Sequence, residues 1–200
     1  MKVTRILVGV LLSSLLVFTF LAYGPVHGLF ADEHAQSTWH GTWKDTPRSL
    51  AETEKLASDI VLAEVTSIEK GDDLVVAAAS EPTGLDVIPT QRITLKVQES
   101  MKGSASEVVV FHTGDGVQFI PGDPSYAVGE RYVLFLTPKG DETGSKAQVS
   151  SYRVVSPEGR YLVGKDETLT TFSDMAFAKS FNGKALGHMK NSVKAARGEK

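Results

Sequence analysis

A chain of 200 residues with 42% hydrophobic and 22% charged side chains has the composition of a folded protein, and beyond its N-terminal segment the length of one domain with a single sizeable core. Its net charge of −3 is uneven: residues 29–171 carry −9 and residues 172–200 carry +4. So acidic a body excludes a nucleic-acid groove, which needs a concentrated basic surface, and the absence of cysteine excludes disulfides, a thiolate metal site, a cysteine nucleophile and a lipidated cysteine.

Lys2 and Arg5 precede residues 6–23, a run of 18 without a charge. A positive end followed by an apolar run marks residues 1–28 as a secretory signal peptide or an N-terminal membrane anchor. Cleavage after Gly28, with Val26 two residues before it, favours the signal. In either case the positive end stays inside and the domain passes out, so the expected location is extracytoplasmic, secreted or membrane-anchored.

Residues 29–47 form an extended lead-in that holds both tryptophans, Trp39 and Trp43. The barrel-forming stretch is assigned to residues 48–171. Ser49 and Glu52 fit a capping box that starts a short helix running to about Ala57. Residues 60–68 read as an apolar, β-branched strand, and residues 74–79 as a second strand after the turn signal Gly71-Asp72-Asp73. Pro82, Gly84 and Pro89 mark residues 80–89 as a loop. In residues 92–97, Ile93, Leu95 and Val97 alternate with Arg92, Thr94 and Lys96, the period of a strand with one wet face. Residues 108–112 and 132–136 are continuous apolar runs of the kind found in central strands. Residues 148–155 and 160–163 flank Pro157-Glu158-Gly159, read as a hairpin turn. Residues 172–200 form a helical segment, capped by Ser173, with Met175, Ala178, Leu186, Met189 and Val193 at helical spacing and a break near Asn182–Gly183. Five or six short strands without alternating helices predict a sandwich or a small closed barrel.

The segments LAETEKLASDIVLAEVTSIE, ITLKVQESMKGSASEVVV and VGERYVLFL resemble, in kind and order, the tissue-inhibitor-of-metalloproteinase-like secreted domains. There a short helix runs into the first strand, a strand ends in a lysine-glycine step, and a glycine-glutamate opens a hydrophobic strand. The resemblance implies a mainly β fold: a small OB-like closed barrel of five to six antiparallel strands, with a short helix before the first strand and a C-terminal helix. It also brings in peptidase inhibition. The cysteine that chelates the protease zinc in that family has no counterpart here, so any inhibition would be cysteine-independent.

Five histidines are present. His34 and His40, with Asp32 and Glu33, lack the converging spacing of a metal site. His112 ends a strand and meets Thr113-Gly114-Asp115-Gly116, so His112 and Asp115 form the one pair with the makings of a general base and its orienter. The same pairing arises where a strand simply ends in a turn. Residues 114–130 form the longest irregular stretch between strong strands. They carry Phe119, Ile120 and Tyr126 as contact residues, or as groups that close the end of the barrel. No Gly-x-Ser-x-Gly elbow, His-Glu-x-x-His or phosphate loop is present. The expectation is a non-enzymatic, cofactor-free and metal-free binding module. It would contact an extracytoplasmic protein or envelope component through Phe119, Ile120, Tyr126, His112 and Asp115. A hydrolase using His112 and Asp115 is the enzymatic alternative.

Overall fold

Ser49 starts the first helix of the computed structural model, α1 (Leu50–Leu56), by accepting a bond from the Glu52 N–H at 3.2 Å. Glu52 reaches back one residue further than a capping box requires and accepts from the Arg48 N–H at 2.7 Å. One orphan donor of the first turn, the Glu52 N–H, is thereby satisfied, together with the Arg48 N–H just outside the helix. The structure describes residues 46–77, 84–114, 123–139 and 151–199, all within one compact unit of residues 37–200. The leader and the lead-in with Trp39 and Trp43 lie outside the described residues, apart from positions 46 and 47. Among the described residues no helix is long and apolar enough to cross a membrane.

Nine strands follow among the described residues: β1 (Asp59–Lys70), β2 (Leu74–Ala77), β3 (Leu85–Ile88), β4 (Thr90–Lys102), β5 (Glu107–Thr113), β6 (Arg131–Pro138), β7 (Ser151–Val154), β8 (Arg160–Val163) and β9 (Leu169–Thr171). The fold is mainly β. Seven of the strands form one mixed sheet and β2–β3 a separate two-stranded sheet. The expectation of five to six antiparallel strands is corrected on both counts, since β5 and β7 run parallel. Short apolar runs signal strands, but they carry no information about the direction in which those strands pair.

β1 pairs antiparallel with β4 along its length and with β6 from Asp59 to Glu64. Register shifts at Ile60/Val61, Leu62/Ala63 and Val65/Ser67 coil the strand, as bulges do. Ile60, Val61, Leu62 and Ala63 are all buried because both faces of this part of the sheet are covered. Val61, Ala63 and Val65 join Ile93 and Leu95 of β4 and Tyr132, Leu134 and Leu136 of β6 in one core. Ile60 and Leu62, with Val133 and Phe135, join a second core on the opposite face. That second core is closed by α2 (Ala176–Lys179) and α3 (Leu186–Ala196), through Ala178, Leu186, Met189 and Val193. The helical spacing read from the sequence thus marks the buried side of the C-terminal segment. Ser173 accepts from the Met175 N–H at 3.1 Å, but α2 begins at Ala176 with no side-chain cap. Gly183 (φ +71°) lies in the break between the helices.

Two readings change. Pro157–Gly159 is a 3-10 turn, yet β7 and β8 do not form a hairpin. Both pair with β6, β7 opposite Leu136–Pro138 and β8 opposite Arg131–Leu134. The turn is an insertion in what is otherwise one long strand along that edge. Residues 80–89, read as loop, contain β3. In contrast, the lysine-glycine step has a local cause. Gly103 (φ +79°) turns β4 toward β5, and a Cβ there would meet Asp59 Oδ1 at 2.0 Å.

α3 is held to the sheet by packing and by ion pairs of unequal weight. Met189 is fully buried, whereas Lys190 reaches Glu99 at 2.5 Å on the surface. We expect Met189→Ala to cost about 2–5 kcal/mol by cavity formation and Lys190→Ala under about 1 kcal/mol, read by urea unfolding. Equal costs would refute this ordering.

Candidate functional site

His112 lies on the inner face of β5 with Val108 and Val110. It is 3% exposed. The continuous apolar run 108–112 therefore splits by face: Val109 and Phe111 are only half covered, and the Lys139 ammonium sits 3.6 Å from the centre of the Phe111 ring. The carboxylate that meets His112 is Asp123, with Oδ2 3.4 Å from Nε2. That is too long for a good hydrogen bond, and neither ring nitrogen has a hydrogen-bond partner. Asp115, Phe119 and Ile120 lie outside the described residues, so the pairing of His112 with Asp115 and the surfaces of Phe119 and Ile120 gain no description.

Asp123 is engaged by Arg160, whose Nη1 donates to Oδ1 at 2.9 Å. Arg160 opens β8 on the face of Leu162, while Tyr161 and Val163 point to the other core. Only 1% exposed, it donates further to the carbonyls of Pro124 and Ser125 and to Tyr132 Oη at 3.2 Å. Its guanidinium lies 3.6 Å from the centre of the Tyr126 ring, a desolvated cation–π contact of about 2 kcal/mol. Tyr126 in turn stands edge-on to His112 at 5.2 Å and to Tyr132 at 5.0 Å.

These contacts tune the titrating groups. Burial alone would raise the Asp123 carboxyl, but His112 and Arg160 outweigh it and hold the group below the usual carboxylate value. Burial pushes the Tyr126 phenol well above its ordinary value and Tyr132 up to about 12. Tyr132 also donates a short bond to Glu130. The outcome is a closed ionic knot that clamps residues 123–126 to the sheet. Tyr126, predicted as a contact residue of an exposed loop, is 5% exposed and packs inward. Among the described residues no three His, Cys, Asp or Glu side chains gather closely enough to hold a metal ion.

Exposed apolar groups gather elsewhere. Val75, Val76, Leu85 and Val87 of the β2–β3 hairpin are 60, 39, 69 and 54% exposed. Val75 pairs with Val87 and Leu85 lies two residues before Val87, so Val75, Leu85 and Val87 share one hairpin face and Val76 lies on the other. At the foot of the hairpin is a groove of about 390 Å³ lined by Ile68, Val87, Pro89, Lys70, Asp73 and Gln91 among others. The neck is tightly built. The Gly71 N–H donates to Thr90 O at 2.8 Å and Thr90 Oγ1 to Asp72 O at 2.7 Å. A Cβ on Gly71 would meet Thr90 Oγ1 at 2.4 Å. Sequence reasoning missed this face because Gly84 and Pro89 bracket β3 and read as loop. The alternation of Leu85 and Val87 was the available signal.

No known family model matches the chain, and no curated protein does.

Removing Arg160 would leave a buried carboxylate and two carbonyls without their donor. Arg160→Met should cost about 3–5 kcal/mol at neutral pH, and a loss under about 1 kcal/mol by urea unfolding would disprove the clamp. The Asp123 carboxyl titrates lower folded than unfolded, so its stabilisation is complete above the unfolded value near ~4 and fades as pH falls through the folded one. The stability gap between wild type and Asp123→Asn should accordingly narrow from pH 7 to pH 3.

Proposed function

We propose that this protein is an exported, non-enzymatic interaction module: an OB-like barrel held outside the membrane that contacts a protein or envelope component. The observation that carries the reading is the hairpin face of Val75, Leu85 and Val87. Monomeric proteins seldom leave neighbouring large apolar side chains this exposed unless the surface meets a partner, and a lone two-stranded hairpin is marginal in water without something packed on it. On this reading the β2–β3 hairpin is a contact surface, while Phe119 and Ile120 of the 114–130 loop, the contact residues expected from the sequence, lie outside the described residues.

Support for a closed barrel comes from the ring of pairings that runs β1–β4–β5–β7–β6 and returns to β1. Such a ring leaves none of these five strands with a fully open edge, and it agrees with the resemblance to the tissue-inhibitor-of-metalloproteinase-like domains. Support for export comes from the charged start and apolar run of residues 1–28. A hydrolase built on His112 and Asp115 is less well supported, because His112 is shut from solvent and sits against Asp123, which Arg160 already binds.

The test places a photo-crosslinking amino acid at position 85 or, as a control, at the exposed position 107, in the full chain expressed in its own cells. A discrete adduct from position 85, absent from 107, is expected. It should disappear when Val75→Ser and Val87→Ser are added to the chain carrying the probe at position 85, in a variant whose melting temperature is within a few degrees of the unsubstituted protein. Identical adduct patterns at both positions would overturn the assignment of the face.

A further inference from the structure

The β1–β4 ladder runs as far as Lys70 opposite Gln91. It resumes beyond the neck as Leu74 opposite Ile88. Between these pairs one chain has three residues, Gly71, Asp72 and Asp73, and the other has two, Pro89 and Thr90. Unequal numbers of residues in paired strands bend the ribbon. The groove is lined from both sides of this interruption, by Val87 beyond it and by Ile68 and Gln91 before it, with Pro89 inside it. Val87 belongs both to the groove and to the exposed apolar face, so the two are continuous.

We propose that this groove receives an extended peptide segment of the partner, with an apolar side chain against Ile68, Val87 and Pro89 and a basic side chain beside Glu69 and Asp73. The proposal rests on the reading of the hairpin as the contact face.

Three observations point to an extended chain of this character. First, β2 and β3 pair only with each other among the described residues, so each presents an outer row of N–H and C=O groups. An added strand satisfies such a row, and its alternate side chains meet the apolar face. Second, the groove has the size of a ligand site. One of its linings, Gln91 Oε1, is a buried acceptor without a donor. Gln91 lies opposite His112 in the β4–β5 ladder, so its side chain shares the inner face of the sheet. A peptide N–H supplies the missing donor. Third, the groove's charged linings are Glu69, Asp73 and Lys70, with Lys70 3.4 Å from Asp73. Arg92 stands opposite Glu69 in the ladder and Asp72 is exposed alongside, so three carboxylates face two cations and one negative charge remains over, in a chain whose body is acidic. A basic side chain fits there and an acidic one is repelled.

The probes are fluorescein-labelled octapeptides of alternating lysine and valine, alternating glutamate and valine, and alternating lysine and serine. Each is titrated by anisotropy against the full chain purified in mild detergent. The lysine–valine peptide is expected to bind at least about ten-fold tighter than the other two. Val87→Asp should weaken it about ten-fold, although that change makes the groove more acidic and would strengthen any unspecific attraction. Asp73→Lys, at a surface position, should shift preference toward the glutamate–valine peptide. Equal binding of the two valine peptides, or binding unchanged by Val87→Asp, would overturn the groove. So would a hairpin buried in a dimer of the chain by sedimentation. If the position-85 adduct forms while no peptide binds, the peptide groove is overturned and the contact face stands. If the adduct does not form, the contact face is lost as well.

Discussion

The fold depends on one constraint: β1 and β6 must be buried on both faces at once. Their paired segments, Asp59–Glu64 and Arg131–Leu136, present successive side chains to opposite cores. A strand of this kind cannot be half polar, and Ile60 to Ala63 and Tyr132 to Leu136 are correspondingly unbroken runs of buried residues. Two further structures are then required. The sheet must curl over its inner face so that Ile93, Leu95, Val108 and Val110 meet β1 and β6. The outer face must be roofed by something else, here α2 and α3. Each side chain moved out of water contributes roughly 1.5–3 kcal/mol, so removing the roof would expose a row of them together.

Arg160 solves a problem created by the same arrangement. The inner core ends where residues 124–126 cross it, and these residues lie in no strand whose ladder would satisfy their carbonyls. A guanidinium provides five donors in a fixed fork, enough to serve the carbonyls of Pro124 and Ser125 as well as Asp123 and Tyr132 Oη. Replacing such a buried network by apolar groups is often neutral in stability, so its presence is not explained by energy alone. Its geometric effect is definite. It fixes where the chain re-enters the sheet after the 114–130 loop, and it keeps His112 covered.

Legibility followed periodicity. The alternation in β4 and the helical spacing of Met189 and Val193 reflect environments that repeat with the backbone, and both were readable. The continuous run of β6 was readable too, since burial on both faces leaves no polar position. The run in β5 looked the same but is buried on one face only, because Phe111 and Val109 satisfy a half-exposed surface equally well. Pro157-Glu158-Gly159 has turn chemistry whether it closes a hairpin or interrupts a strand, so the residues could not distinguish the two. Arg160 was opaque for a different reason. An arginine after a turn normally faces water, and its burial is decided by Asp123 and Tyr126, more than thirty residues away in the chain. Tyr126 was misjudged along with it, as an aromatic ring in a loop reads the same whether it points out or in.

The hairpin beyond the neck obeys neither core. At Gly71 the approach of Thr90 permits no side chain, and past that point Val75, Leu85 and Val87 have left the surroundings that bury Ile93 and half-bury Ile68. Had these positions been selected only for solubility, the polar residues usual on an exposed ribbon would cost nothing in the core, because none of the three reaches it. Their apolar character therefore cannot be attributed to folding of the sheet. The contact proposed above, which forms after the sheet is made, gives that character a reason. The knot around Arg160 and the face on the hairpin thus differ in kind: the first is explained by the inside of the molecule, the second by the proposed contact outside it.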